Sequence, residues 1–240
     1  MTETDRPPDD PDFRQSQPTP QPVTVAEVEE LLGQHREWLE SKAQAGQRAS
    51  FHRALLQDAY LQGADLRGAD FSQAVLQGAE LQNANLYRAN LSQANLQGSS
   101  LQRSRLREAT LEGAHLIGAN LQEADLRHAV LVRADLRDAD LLEARLSNAD
   151  LSTAFCKGAN FFMADLSSAN CTETNLQEAN LRLAQVQDAK LAGAEFRGGL
   201  LHAADFLDAL GLTMRQATEG EVDGRTRWPT YLRDEIPTGA

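Results

Sequence analysis

Between Phe51 and Phe206 every fifth residue is large and apolar, thirty-two positions in all, and two residues before each stands a small one. The large residue is Leu except at Phe51, Phe71, Phe161, Phe196, Phe206, Cys156, Cys171 and Val186. The small one is Ala except at Ser99, Ser104, Thr174 and Gly199. The residue between them is usually polar, often Asp or Asn, as in GADLRGADF and NANLYRANLSQANL.

A period of five fits neither regular element. Five helical steps of about 100° leave the chain about 140° past a full turn, so the leucines would spread over every face. In a straight strand an odd period would send them alternately to opposite faces. The pattern closes only if the backbone turns a corner every five residues. The Ala and Leu of each unit then point inward and the residue between them points out. Four corners make a square coil of twenty residues, and thirty-two units make eight coils around a continuous apolar shaft. At the ~4.8 Å spacing of neighbouring strands the stack rises roughly 38 Å. Ala is expected beside each Leu because the square interior cannot take two large side chains per side. The inward hydroxyls of Ser99, Ser104 and Thr174 are expected to bond to the backbone.

The tandem A(D/N)LXX array resembles the pentapeptide repeat family. The resemblance covers about two-thirds of the chain and implies an all-β solenoid, a right-handed quadrilateral β-helix, with Leu as its central inward residue and Ala as the second. Because some members of that family protect DNA gyrase by imitating duplex DNA, it carries DNA mimicry as an alternative function.

The flanks divide the chain further. Residues 1–22 hold six of the eight prolines and are expected to form a disordered tail. Residues 23–46 are expected to form an N-terminal capping helix. Thr24 and Glu27 have capping-box spacing, Val23 and Val28 staple spacing, and Val28, Leu31, Leu32, His35, Trp38 and Leu39 share one face. Trp38 is expected to lie over the first coil, where Phe51 and Phe71 widen the core. The repeat domain runs over 47–210. Residues 211–240 are read as a C-terminal cap and tail, with GLTMRQATEG and RWPTYL folding back over the last coil. The segments LLGQHREWLES and GLT with its downstream YL are similar to flanks found in many bacterial, notably cyanobacterial, members of the family.

Sorted at intervals of twenty, the outward residues form columns. Arg105, Asp125, Arg145 and Asp165 alternate in charge up one side and are expected to pair across coils. Gln57, Gln77 and Gln97 stack on another side, and Gln62, Gln82, Gln102 and Gln122 on a third, as expected amide ladders. The third side turns apolar toward its C-terminal half: Leu142 and Phe162 stack, with Met163, Leu183 and Leu200 nearby. These five residues are the candidate interaction patch. Phe155, Val130 and Val132 are expected to adjoin it.

Composition narrows the function classes. The chain of 240 residues carries a net charge of −12 with only 5% aromatic residues, which argues against direct nucleic-acid binding or an anionic membrane as partner. No stretch approaches the roughly 18 apolar residues of a membrane span. The acidic, Pro-rich start is unlike a signal peptide, and two cysteines make no disulfide framework, so a cytoplasmic protein is expected. Cys156 and Cys171 take core positions as inert thiols. The five histidines scatter, His115 over Asp135 being a surface pair, so no metal, cofactor or catalytic constellation is expected and the protein is expected not to be an enzyme. What remains is a rigid scaffold for an unknown protein partner, a second copy of the chain being one such partner. DNA mimicry ranks second because the Arg and Asp column breaks any phosphate-like run of charge.

Overall fold

The computed structural model describes residues 20–232. The expected proline-rich tail lies outside the described residues except for its last three, and so do residues 233–240.

Every residue that precedes a central Leu bridges in parallel to the residue twenty further on, from Ser50 with Asp70 to Lys190 with Leu210. A coil therefore holds twenty residues, and the columns twenty apart define four sides, numbered here from Phe51, Leu56, Leu61 and Leu66. The hydrogen-bond inventory of one repeat explains the motif. Phe71 N–H donates to Asn90 O of the coil above (2.7 Å), Gln73 N–H to Ser92 O (2.9 Å), and Val75 N–H to Ala54 O of the coil below (2.9 Å). Ala74 N–H closes the corner on Phe71 O (3.0 Å). The fifth, Ser72 N–H, donates to Oδ1 of Asp70 at 3.0 Å. The same side-chain acceptor recurs at Asn90, Asn120, Asp150 and Asn175. Asp and Asn are favoured before the central residue because they satisfy a donor that neither the turn nor the neighbouring coils reach.

Each corner is a β-turn whose third residue has positive φ, every fifth position from Arg53 (57°) to Asp208 (58°), as in a type II turn. Nine of these thirty-two residues are Gly, so the array holds this conformation mostly with side chains for which it costs about 1 kcal/mol each. The inward positions make one continuous core in which the central residues and their Ala partners are almost wholly buried.

The helix α1 spans Val25–Glu40, shorter than 23–46. Thr24 caps it in a reciprocal capping box with Glu27, and Lys42 and Ala43 turn the chain with φ of 55° and 67°. Gly46 has to be Gly: besides its φ of 71°, a Cβ there would stand 2.3 Å from Gln34 O and 2.6 Å from Trp38 N. Val23, Val28, Leu31 and Leu32 pack against the core. The residue of α1 that is fully buried is His35, not Trp38. Its Nδ1 accepts from Ala49 N–H at 3.1 Å, and the Trp38 ring stacks on it at 5.6 Å. Ahead of the helix, where tail was expected, β1 (Gln21–Pro22) pairs in parallel with β2 (Ala54–Leu55).

At the other end the spacing lengthens: Leu200 bridges to Glu221 and Asp205 to Arg227. The extra residues include the short helix α2 (Met214–Glu219), whose Gln216 Nε2 donates to Leu191 O and Ala194 O, both at 2.8 Å. Trp228 stacks on Phe206 with centroids 5.2 Å apart, and Tyr231 Oη donates to Ala209 O. These contacts occupy core faces and carbonyls that would otherwise face an open coil edge.

Two expectations about inward hydroxyls need correction. Thr174 Oγ1 donates to Leu151 O at 2.8 Å, but the buried Ser99 Oγ and Ser104 Oγ have no partner among the described residues. Serine is one methyl group smaller than threonine and lacks the second branch that fixes the hydroxyl direction.

Candidate functional site

On the third side the structure brings Leu142, Phe162, Met163, Leu183 and Leu200 into one strip. Met163 and Leu183 occupy successive coils of one corner column and are 45% and 46% exposed. Leu142 and Phe162, at the first turn position, are half-buried between coils, as is Leu200 in the bridging column. The Arg182 guanidinium lies over the Phe162 ring, 5.5 Å from its centroid. Phe155, 43% exposed, sits on the adjoining second side. Val130 and Val132 do not extend the strip. Val130 stacks between Thr110 and Asp150 and Val132 follows it two residues on, both on the first side, two corners away and hence across the shaft.

The amide ladders are also rearranged. Gln73 Nε2 donates to Gln93 Oε1 at 2.9 Å, but Gln82 Oε1 and Gln102 Oε1 have no partner among the described residues, and Gln122 donates to Asp140 instead. The repeating cross-coil bonds come from the bridging column, where Asn90, Asn160, Asn170 and Asn180 donate to Asp70, Asp140, Asp150 and Asn160 one coil below.

The fourth side carries a feature absent from the expectations. Arg105, Asp125, Arg145 and Asp165 do stack in sequence, but they do not pair across coils. Asp125 takes both bonds of a fork from Arg127, two residues ahead in its own coil, at 2.7 and 2.6 Å. Asp65 and Arg67, and Asp135 and Arg137, do the same. A carboxylate before the central residue and a guanidinium after it lie side by side on one coil, which suits bidentate pairing better than a reach between coils. Hydrogen bonds from Arg127 hold the Asp125 carboxyl below its usual range, against the opposing effect of burial. Arg105 and Arg145 are left without an ion pair among the described residues.

Around Arg105 a recess of about 400 Å³ opens to the outside, lined by Arg67, Tyr87, Arg107, Arg127 and Asp125. Arg67, Tyr87, Arg107 and Arg127 are twenty residues apart, a spacing through which the column was available in the sequence. Arg107 is 3.5 Å from Glu108, whose carboxylate is bound more closely by Arg88 at 2.8 Å and accepts from Tyr87 Oη.

Among the described residues no three His, Cys, Asp or Glu side chains are grouped to hold a metal, and no helix is long and apolar enough to cross a membrane. Asp135, one coil above its bridging partner His115, is committed to Arg137. Cys156 and Cys171 are free and buried. Burial pushes both thiols up, that of Cys171 to about 12, which keeps them protonated and unreactive.

The chain matches a known repeat family. A family model described as pentapeptide repeats matches in eight copies, over residues 54–93, 84–122, 94–131, 119–155, 129–166 and 159–198. Among solved structures, the chain is similar to HetL, a pentapeptide repeat protein involved in heterocyst differentiation regulation in the cyanobacterium Nostoc. The two are 27% identical over 84% of this chain and 96% of that one, with a TM-score of 0.42. It is similar to QnrB1, a plasmid-mediated fluoroquinolone resistance protein, at 16% identity over 73% and 89% of the two chains, with a TM-score of 0.48. A pentapeptide repeat protein of the Arabidopsis thaliana thylakoid lumen is 30% identical over 49% of this chain and 72% of that one, with a TM-score of 0.29. No curated protein matches the chain.

Proposed function

The chain belongs to the pentapeptide repeat family, and from that premise we propose that it is a cytoplasmic, non-enzymatic docking scaffold, a right-handed rod closed at its N-terminal end by α1. Its third side, in this reading, holds a folded partner protein. The observation that carries the reading is the strip itself: Met163 and Leu183 exposed on successive coils beside half-buried Leu142 and Phe162, with Leu200 beyond them. Phe, Met and Arg are the residue types enriched at protein interfaces. Arg182, stacked on Phe162, has no carboxylate partner among the described residues, so the partner is expected to bring an apolar ridge flanked by an acidic group. A shaft filled with Leu and Ala favours binding by the outer surface over chemistry in a pocket. DNA mimicry is the weaker alternative, because Arg67, Arg105, Arg107 and Arg127 interrupt the negative charge of the fourth side.

The test is photocross-linking in the cell of origin, with benzoylphenylalanine placed at Met163 or, as a control in the same column, at Asn83. An adduct to a different protein at the first position only, lost on Leu183→Asp, is the expected result. No adduct at Met163, the same adduct at Asn83, or an adduct joining two copies of the chain would overturn the scaffold reading.

A further inference from the structure

We propose that the arginine recess on the fourth side binds a short acidic segment of a partner protein, its carboxylates gripped by Arg105 and Arg107. This goes beyond the docking strip, from which it is one corner removed, so either surface can fail while the other stands.

Three observations converge. The first is charge: in a chain of net charge −12, four arginines and a tyrosine line one recess of about 400 Å³ with Asp125 as the carboxylate in its wall. The second is commitment. Arg67 and Arg127 are held by forks to Asp65 and Asp125, whereas the Arg105 guanidinium has no partner among the described residues and Arg107 only a contact of 3.5 Å with Glu108. The inner two guanidiniums are therefore free to receive a ligand while the outer two are already positioned. The third is local sacrifice. Arg105 occupies the position where Asp or Asn would accept the N–H two residues ahead, as Asp125 does from Arg127 N–H. It stacks between Asn85 and Asp125 and forgoes that bond. Arg107 and Arg127 follow one another at one coil spacing, and like charges so placed repel.

The shape selects the ligand. From Arg67 to Arg127 is three coils, about 14 Å at the ~4.8 Å strand spacing, which an extended segment of about four or five residues spans. Higher on the same side stand Asp165, Asp188 and Asp208, which would repel a longer polyanion. A carboxylate meets a guanidinium through two parallel hydrogen bonds, the fork already seen within this recess at Arg127 and Asp125. A short run of Asp or Glu fits all three constraints, and a nucleic-acid strand fails the second.

The experiment uses the full chain and fluorescein-labelled hexaglutamate, read by anisotropy at low salt. Saturable binding is expected, weakening as salt rises and falling by at least about tenfold in Arg105→Asn/Arg107→Gln. The first substitution supplies the missing acceptor, so the variant should melt no lower than the parent while binding is lost. Arg105→Lys/Arg107→Lys should bind with intermediate affinity, since it keeps the charge and loses the fork. No saturable binding, an equal loss with the third-side control Arg182→Gln, or equal affinity for an octathymidylate strand of the same charge range would overturn the proposal.

Discussion

The two unpartnered hydroxyls in the shaft allow a sharp test of how the core is held. Ser99 and Ser104 stand at neighbouring corners of one coil, 0% and 1% exposed, at positions that elsewhere hold Ala. Their oxygens have no hydrogen-bond partner among the described residues. Burying such a group without compensation costs about 1–3 kcal/mol, and removing one oxygen forfeits a few tenths in packing. Ser104→Ala should therefore stabilise the protein by about 1–2 kcal/mol. In a chain of this size each kcal/mol is worth about 2–4 °C of melting temperature. The double variant with Ser99→Ala should gain somewhat less or more than the sum, because the sites are close enough to couple. Thr174 provides the opposite sign at an equivalent position: its hydroxyl donates to Leu151 O, so Thr174→Ala should destabilise by about 1–2 kcal/mol. Thermal unfolding followed by circular dichroism measures all three variants. A loss of stability in Ser104→Ala, or a gain in Thr174→Ala, would refute the claim that satisfaction of these hydroxyls, rather than the space they occupy, sets their energetic sign.

Two further outcomes are expected. Burial pushes the His35 imidazole below its ordinary value of 6.5; nearby Asp65 opposes this, and Arg67 and Arg48 add to it. The unfolded chain then binds the proton first, so the contribution of His35 to stability is complete above about pH 6.5 and is lost as pH falls from there toward the folded-state value. Urea unfolding between pH 7 and pH 5 should show this slope, and His35→Gln should flatten it; an unchanged slope would assign the pH dependence elsewhere. At the corners, Gly98→Ala meets nothing within 4 Å and should cost only the φ penalty, about 1 kcal/mol, whereas Gly46→Ala drives a Cβ into Gln34 O and Trp38 N and should cost about 2–4 kcal/mol. Equal effects from the two would contradict the close approach of the chain to α1.

How much was legible follows from what each feature depends on. The five-residue period alone specifies the corners, because no other path keeps thirty-two large residues and their small partners on one inside. The placement of Leu142, Phe162, Met163, Leu183 and Leu200 on one side follows from counting by twenty, and the same counting puts Val130 and Val132 across the shaft. The capping box of α1 was readable from Thr24 and Glu27 because it is a contact between residues three apart. His35 was not distinguishable from Trp38 as the buried anchor, since both lie on the same helical face and only the docking depth separates them.

The sequence by itself thus determined the backbone path, the inward set and the vertical order of every outward column, because these depend on periodicity and on bonds between near neighbours. Only the tertiary structure decided which polar atoms meet. A guanidinium can reach either the carboxylate of its own coil or that of the next, and Arg127, not Arg105, is the partner of Asp125. Likewise Ser99 and Ser104 are unbonded among the described residues where Thr174 is bonded. Hydrogen bonds are short and directional, so their pairing depends on rotamers and coil offsets that no repeat period encodes.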